Sequence, residues 1–225
     1  MASATDVSQS RSTAPTYFLL RRLHSLTGIL FGGYLIVHLL VNATLAQGTN
    51  PDIYQQQVNK IHSLPLLIFI EWVAIYLPII YHTFYGLWIT LTGQPNVGDY
   101  PFNKNLFYFF QRLTAMILAL FIAFHVFAMK GLFGGALAFD PKSATITATH
   151  SLTANWAIEF IIYPLGILCA CYHLANGFWA AAITWGLTIS RGAQRRWGFV
   201  CFGLFVMTFT LGMTAWLWVV AHPLK

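Results

Sequence analysis

Charged residues are scarce in this chain, and acidic residues are the scarcest of them. Only 8% of the 225 residues are charged and only six are Asp or Glu, whereas 57% are hydrophobic. A soluble domain carries about 25% charged residues, so the composition excludes that class. Five apolar stretches are long enough to cross a bilayer, which takes roughly 20 residues each. Because lipid cannot satisfy backbone polar groups, these stretches must be helices.

The sequence therefore predicts an all-α integral membrane bundle of five transmembrane helices. Residues 1–16 are polar and rich in Ser, Thr and Ala, and we expect them to form a disordered cytoplasmic tail. The remainder, 17–225, is predicted to be a single transmembrane domain. Its expected spans are about 17–40, 65–92, 107–132, 156–187 and 199–221.

Cysteine is rare as well, and its placement excludes several kinds of site. Cys169, Cys171 and Cys201 all fall inside predicted spans, without the spacing of a disulfide framework or a zinc site. Covalent haem attachment requires C-x-x-C-H, and Tyr172 stands where the second Cys would precede His173. Any haem in this chain would be held non-covalently.

The formal net charge of +6 is distributed unevenly between the two sides of the membrane. With five spans the termini lie on opposite sides, and the cationic residues divide eight to four. This bias predicts a multi-pass protein of the cytoplasmic (inner) membrane with a cytoplasmic N-terminus and an external C-terminus. The excess of positive charge is thus an orientation signal rather than a nucleic-acid-binding surface, so we expect no nucleic-acid partner. The eight are Arg11, Arg21, Arg22, Lys104, Arg112, Arg191, Arg195 and Arg196, and the four are Lys60, Lys130, Lys142 and Lys225.

A short motif, His-x3-Gly-x-Trp, occurs in both the second and the fourth predicted span. It begins at His82 and again at His173. Positions four apart share a helix face, so each His projects over a glycine, Gly86 or Gly177. A flat ligand bound by the imidazole would lie close to the backbone there. The alternative is close packing of two helices, for which membrane glycines are commonly used.

The first and third spans form a second matching pair. In each, a threonine stands eleven residues before a histidine, Thr27 before His38 and Thr114 before His125. The chain therefore contains a repeated two-helix hairpin with two histidines per copy, followed by one extra helix. At about 1.5 Å per residue, His38 and His125 fall in the outer half of the membrane. The second and fourth spans run the other way, which places their histidines in the inner half.

Two depths with two imidazoles each are what two bis-histidine haems require. A single membrane histidine is often only a hydrogen-bonding core residue, but intramembrane ionisable groups are candidate functional sites. Zinc fits less well, since each level offers two nitrogen ligands and no Cys or carboxylate set. A haem with two histidine ligands leaves no open site on the iron, which indicates electron transfer.

At this point the sequence resembles a known family, the five-helix, di-haem cytochrome b membrane anchor of succinate dehydrogenase, which also serves fumarate reductase. The similarity runs from Tyr17 to Arg196. It rests on Arg21-Arg22-Leu23-His24-Ser25, Tyr81-His82, Gln111-Arg112-Leu113-Thr114, Phe124-His125-Val126 and His173-Leu-Ala-Asn-Gly-Phe-Trp-x4-Thr184-Trp-Gly.

The resemblance implies two b haems. His38 and His125 would ligate the outer haem, and His82 and His173 the inner one. It also implies a flavoprotein and an iron–sulfur subunit on the cytoplasmic face, with FAD and iron–sulfur clusters in those partners only. The substrate would be a membrane quinone, with menaquinone expected. The chain would then serve a succinate:quinone oxidoreductase without oxidising succinate itself.

For the remaining candidate residues, a structural role is an alternative to the functional one. Haem contacts are predicted for several residues that would otherwise be interfacial anchors or packing positions: Arg22, His24, Arg112, Gly86, Asn176 and Gly177. Quinone binding or proton transfer is predicted for Glu71, Glu159 and His62 near the outer level. The two acids would otherwise be neutral groups bonded between helices.

Two other functions fit parts of the same pattern. A quinol:fumarate reductase anchor running in reverse would need the same histidines. A non-haem transporter could use His and Glu as a proton relay. An optical spectrum distinguishes the transporter from the two haem-containing anchors, because a transporter lacks the reduced b-type alpha band.

Overall fold

The computed structural model describes residues 4–48, 52–93, 98 and 102–223, with side chains from residue 16 onward. Within those residues there is no strand, and five helices are long and apolar enough to cross a membrane. The all-α, five-span prediction is confirmed. The first to fifth spans are Thr16–Gln47, Leu67–Thr92, Asn103–Met129, Ile158–Thr184 and Arg191–Ala221.

Two helix starts differ from the predicted ones by more than four residues. The first helix is continuous over Ala4–Ala43, so residues 4–16 are helical where the sequence indicates a disordered tail; the division into a tail and one domain stays a prediction. The fifth helix begins at Arg191, eight residues earlier than expected, because the Ser190 side chain accepts a hydrogen bond from the Ala193 N–H. This N-cap makes the basic segment the first turns of a helix.

The first four spans form a closed ring. Contacts join the first span to the second, the second to the third, the third to the fourth, and the fourth back to the first. The first and third spans are therefore diagonal to each other, as are the second and fourth. Side chains that point inward from diagonal helices meet across the axis of the ring.

The fifth span packs outside the ring, against the first and fourth spans. Gly212 permits this approach, since a Cβ at that position would lie 2.7 Å from Ile167 and 3.4 Å from Leu39. Small residues at such contacts let membrane helices approach closely. The fifth span thus packs on the outside of the four-helix ring and contributes no histidine to the axis of that ring.

The ends of the bundle differ in character. The end where the first, third and fifth spans begin carries the arginines, and we call it the basic end; the opposite one is the far end. The far end is covered by two short helices, Ile53–His62 and Ala144–Leu152. Asp52 joins them, because its carboxylate accepts from the Gln55 N–H and from the Thr145 hydroxyl.

The cover has a small core of its own, made of Leu45, Tyr54, Val58, Ala144, Ala148, Ala215 and Val219. Burial, together with the neighbouring Tyr34 and Asp52, raises the pKa of Tyr54 to about 12. The Tyr54 hydroxyl therefore stays neutral at physiological pH. It adds no charge beside Tyr34, which belongs to the first span.

The second and fourth spans each contain one π-helical turn, Trp72–Tyr76 and Ile158–Ile162. In both, one residue separates the turn from a proline, Pro78 or Pro164. Proline has no N–H and its ring clashes with the carbonyl four residues earlier, so a wider turn relieves the conflict. The turns are thus a structural feature of the hairpin repeat.

In the fourth span the carbonyl freed by the π turn is bonded by the fifth span. The Tyr163 N–H bonds the carbonyl of Ile158 rather than that of Glu159. The indole N–H of Trp216 donates to the Glu159 carbonyl at 2.7 Å. This hydrogen bond satisfies a backbone group that lipid could not, and it fixes the fifth span against the fourth.

Candidate functional site

Four histidines meet in two pairs across the diagonals of the ring. The rings of His82 and His173, the basic-end pair, have centroids 6.1 Å apart and planes at 89°. The rings of His38 and His125, the far-end pair, have centroids 6.0 Å apart and planes at 77°. The partners are those expected from depth, one pair from the second and fourth spans and one from the first and third.

A spacing of 6 Å is compatible with one metal bound between two imidazoles on opposite sides of it. Metal–imidazole nitrogen bonds are about 2 Å and the ring centre lies roughly 1 Å beyond the nitrogen, so the centroids fall about 6 Å apart. Nowhere in the described part of the chain do three or more His, Cys, Asp or Glu residues cluster as a metal site. Neither level therefore offers the ligand set of a zinc site among the described residues, and a pair of facing imidazoles fits a haem better than zinc.

In the basic-end pair, hydrogen bonds assign the proton of each imidazole. His82 Nδ1 lies 3.0 Å from the carbonyl oxygen of His24, which can only accept, so Nδ1 carries the proton. His173 Nδ1 lies 3.2 Å from the Thr114 hydroxyl. That hydroxyl donates to the Phe110 carbonyl at 2.7 Å, and it therefore accepts from His173. Both Nε2 atoms are left with a lone pair for a metal.

The two threonines of the repeat both act on the basic-end pair. Thr114 bonds His173 directly, as just described. The Thr27 hydroxyl lies 3.0 Å from the His24 carbonyl, the group on which His82 depends. The spacing of each threonine from its histidine is visible in the sequence. The effect of the two threonines on histidines of neighbouring spans is visible only in the fold.

In the far-end pair the partners of Nδ1 are tyrosine hydroxyls. His125 Nδ1 lies 3.2 Å from the Tyr163 hydroxyl. His38 Nδ1 lies 3.4 Å from the hydroxyl of Tyr34, one turn earlier on the same helix. A hydroxyl can donate or accept, so these imidazoles can present a free Nε2 when a metal requires it.

A fifth histidine lies against the basic-end pair. The His24 ring stacks on the His82 ring with centroids 4.0 Å apart and planes at 9°. A Cβ at position 86 would lie 3.0 Å from the His24 ring, and one at position 28 would lie 2.5 Å from the His82 ring. Gly86, expected beneath a flat ligand, thus makes room for a second imidazole, and Gly28 is a position in contact with the pair that sequence reasoning missed.

Comparison with known proteins gives the family. No family model matches the chain. The succinate dehydrogenase cytochrome b558 subunit of Bacillus subtilis (strain 168) is 32% identical over 201 residues, 88% of this chain and 95% of that protein. The chain belongs to the family of cytochrome b membrane-anchor subunits of succinate dehydrogenase. It is therefore a multi-pass membrane subunit of an enzyme complex.

Arg22 of this cytochrome b subunit lies between two aromatic rings at the basic end. Its guanidinium carbon is 4.7 Å from the ring centroids of both Phe18 and Trp185. The Trp185 indole N–H in turn donates to the Ser25 hydroxyl at 3.0 Å. These contacts join the first span to the end of the fourth and hold a positive charge at the basic end of the bundle.

Arg112 is also seated on an aromatic ring. Its guanidinium lies 4.3 Å from the Tyr108 ring centroid and donates to the Ile89 carbonyl at 3.3 Å. Gly93 leaves space for it, because a Cβ there would overlap the guanidinium. Arg112 Nε and His24 Nδ1 are among the buried polar atoms at this end that have no hydrogen-bond partner in the described residues.

Asn176 and Gly177 contact the third span through Gln111. The Asn176 amide donates to Gln111 Oε1 at 2.8 Å, and Gln111 Nε2 donates to the His173 carbonyl at 3.2 Å. A Cβ at position 177 would lie 3.5 Å from Gln111. Gln111, to which no role was assigned, therefore supports the helix turn of His173; the signal was an amide inside an apolar run.

The three quinone candidates occupy different environments at the far end. Glu71 is half-buried and interacts electrostatically with Tyr34, whose hydroxyl contacts His38. Glu159 is half-buried in the π turn of the fourth span. His62 is exposed and lines a surface depression with Asn59, Ser63, Asp140, Pro141 and Lys142. Of the three, Glu71 is the one for which the described structure gives an electrostatic interaction with a side chain that contacts the far-end pair.

Proposed function

We propose that the chain is the membrane-anchor cytochrome b of a succinate:quinone oxidoreductase and holds one b haem between each diagonal histidine pair. The paired imidazoles with centroids about 6 Å apart are the observation that carries the proposal. Electrons would pass from a cytoplasmic flavoprotein and iron–sulfur pair to a membrane quinone, with menaquinone expected. FAD and the iron–sulfur clusters would belong to the partner subunits alone.

Bound haem would supply one-electron transfer, because histidine at both axial positions leaves no open site on the iron. The chain's residues would ligate the iron through Nε2 of His38, His125, His82 and His173. The Nδ1 hydrogen bonds orient the rings for this role. Such bonds to the second nitrogen are the usual support of metal-binding histidines.

The basic end is suited to the propionate side of the inner haem. The unpartnered Arg112 Nε–H would gain an acceptor there, His24 Nδ1 would gain one in the tautomer in which it carries the proton, and Arg22 lies at the same end. Buried donors without partners are costly, so a carboxylate ligand would stabilise them. We also propose haem contacts for Gly86, Asn176 and Gly177, each of which lies against a protein side chain as well.

Orientation follows from the same basic residues. The positive-inside bias places the basic end and the N-terminus in the cytoplasm and the C-terminus outside, in the cytoplasmic membrane. The partner subunits would dock on the basic end, where Arg191, Arg195 and Arg196 begin the fifth span. The far-end pair would then be the outer one.

We place the quinone at the far end, where the electron path would finish. Glu71 beside Tyr34 would exchange protons with the quinone, Glu159 is the second acid at that level, and His62 lies at the membrane surface. Reduction there would move electrons from the negative cytoplasmic side towards the positive outer side, which is favourable by about 2.3 kcal/mol per charge per 100 mV. Succinate oxidation should therefore be faster in energised membranes and slow down with an uncoupler.

The test is purification of the intact complex from membranes. We expect a pyridine haemochrome assay to give two haem b per copy of this chain, and a flavoprotein and an iron–sulfur protein to copurify. Succinate:quinone activity measured in both directions separates a dehydrogenase anchor from the fumarate reductase alternative. One haem or none, or recovery of the chain alone with its haem intact, would contradict the proposal. Absence of a b-type alpha band would favour the transporter.

A further inference from the structure

Tyr163 is a buried tyrosine whose hydroxyl faces the far-end pair. Its side chain is 6% exposed, and the hydroxyl lies 3.2 Å from His125 Nδ1. The two rings meet edge to face, with centroids 5.9 Å apart and planes at 83°. A hydroxyl inside an apolar bundle is unfavourable unless it is hydrogen-bonded. The bond that Tyr163 makes is to a histidine of the candidate site.

Neighbouring side chains hold Tyr163 and His125 in this arrangement. Phe121 stacks on His125 at 5.9 Å and 17°, and it meets the Tyr163 ring edge-on at 5.7 Å and 90°. Gly166 makes space for Phe121, since a Cβ there would lie 2.5 Å from the ring. The three aromatic rings therefore form one packed cluster across the third and fourth spans.

The backbone around Tyr163 is also held in place by hydrogen bonds. Its N–H bonds the Ile158 carbonyl at the end of the π turn, and Pro164 follows. Trp216 of the fifth span holds the adjacent Glu159 carbonyl. A π turn shifts the register of the residues after it. At this point the shifted register aims a hydroxyl at His125.

We propose that Tyr163 is the positioning residue of His125: its hydroxyl oxygen accepts a hydrogen bond from the Nδ1–H, fixes the ring orientation and lowers the reduction potential of the outer haem. The inference rests on the proposed function, because it requires His125 to be an axial ligand. A hydrogen bond from Nδ1 raises the basicity of a ligating imidazole. A more basic ligand favours ferric iron, which lowers the potential.

Tyr34 provides a matched comparison on the other ligand of the same haem. Its hydroxyl lies 3.4 Å from His38 Nδ1, against 3.2 Å for Tyr163 and His125. A longer hydrogen bond is weaker. Removal of the Tyr34 hydroxyl should therefore shift the same potential in the same direction by a smaller amount.

The experiment is potentiometric titration of both haems in the intact complex carrying Tyr163→Phe, which removes the hydroxyl and keeps the ring. The outer haem is identified as the component missing from a His125→Leu variant. We expect about a tenfold change in its ferric-to-ferrous ratio at a fixed ambient potential. This corresponds to about 59 mV towards higher potential. The inner haem should be unchanged, and Tyr34→Phe should give the smaller shift.

Each other outcome has a defined meaning. Selective loss of the outer haem in Tyr163→Phe would also support the proposal, since His125 would have lost its orienting partner. Unchanged potentials with two haems retained would overturn it and leave the proposed function standing. Loss of both haems, or a larger shift in Tyr34→Phe, would overturn it too. If the proposed function itself were wrong, the unsubstituted complex would contain fewer than two haems. That result is distinct from every outcome for the variants.

Discussion

At the basic end, the histidine pair is held by a backbone carbonyl and a threonine, whereas at the far end the partners are two tyrosines. The spacing of the rings is nearly the same, 6.1 Å against 6.0 Å. The surroundings differ, with a stacked imidazole and two arginines at one end and Glu71 at the other. The repeated hairpin thus sets the geometry of the histidine pairs, while the side chains around each pair make the two levels chemically different.

That difference matches the direction of the proposed electron path. Positive charge at the basic end suits haem carboxylates and a docking partner, and neither task requires proton transfer. Hydroxyls and a carboxyl at the far end can exchange protons with a reduced quinone. Three predictions would break or sharpen this comparison.

The largest effect is expected from Gly28→Ala, which acts only on the basic end. Its Cβ would lie 2.5 Å from the His82 ring, which is already stacked on His24 and cannot retreat. Overpacking of this kind costs about 1–3 kcal/mol. We expect haem content to fall from two towards one, with the inner haem lost.

Gly33→Ala on the same span is the matched control for that prediction, because nothing lies within 4 Å of a Cβ there. It should keep both haems. If Gly28→Ala also keeps two haems with unchanged spectra, the close fit of His82 against the first span is wrong.

The next largest effect is expected from Glu71→Gln at the far end. Loss of a proton-transfer group lowers turnover by about 10²-fold or more, and haem content should stay at two. Glu159→Gln should lose less, because Glu159 has no observed interaction with Tyr34 in the described structure. Succinate:quinone activity and inhibitor affinity are the measurements. Full activity in both variants would make the acids structural.

The smallest effect is expected from Thr114→Val, which removes the acceptor of His173 Nδ1. The inner haem should move to higher potential while the outer one stays fixed, by about tenfold in its ferric-to-ferrous ratio. Thr208→Val is the control, since that buried hydroxyl donates to the Leu204 carbonyl of the fifth span. A shift of the outer haem alone would contradict the assignment of Thr114 to the basic end.

Much of this arrangement could be predicted from the sequence because it depends on position along a helix. Span length places five helices, and rise per residue gives the depths at which His38 and His125 pair, and His82 and His173. Helical spacing also put Gly86 and Gly177 on the faces of their histidines. These inferences need no knowledge of how the helices rotate against each other.

The remainder depends on that rotation, which no pattern in one sequence reports. The stacking of His24 on His82 and the contact of Gly28 with the same ring join different spans. The π turns result from prolines whose effect on helix register depends on tertiary packing. Thr114 and Gln111 were visible as polar residues in an apolar run, but their partner His173 lies on another helix.

The central claim is that haem is bound by diagonal pairs, and four single variants test it most directly: His38→Leu, His82→Leu, His125→Leu and His173→Leu. Haem content and the potential of the remaining haem are measured in each purified complex. We predict that the variants at positions 38 and 125 lose one and the same haem, and that those at 82 and 173 lose the other. Loss that instead groups 38 with 82 and 125 with 173 would contradict the account.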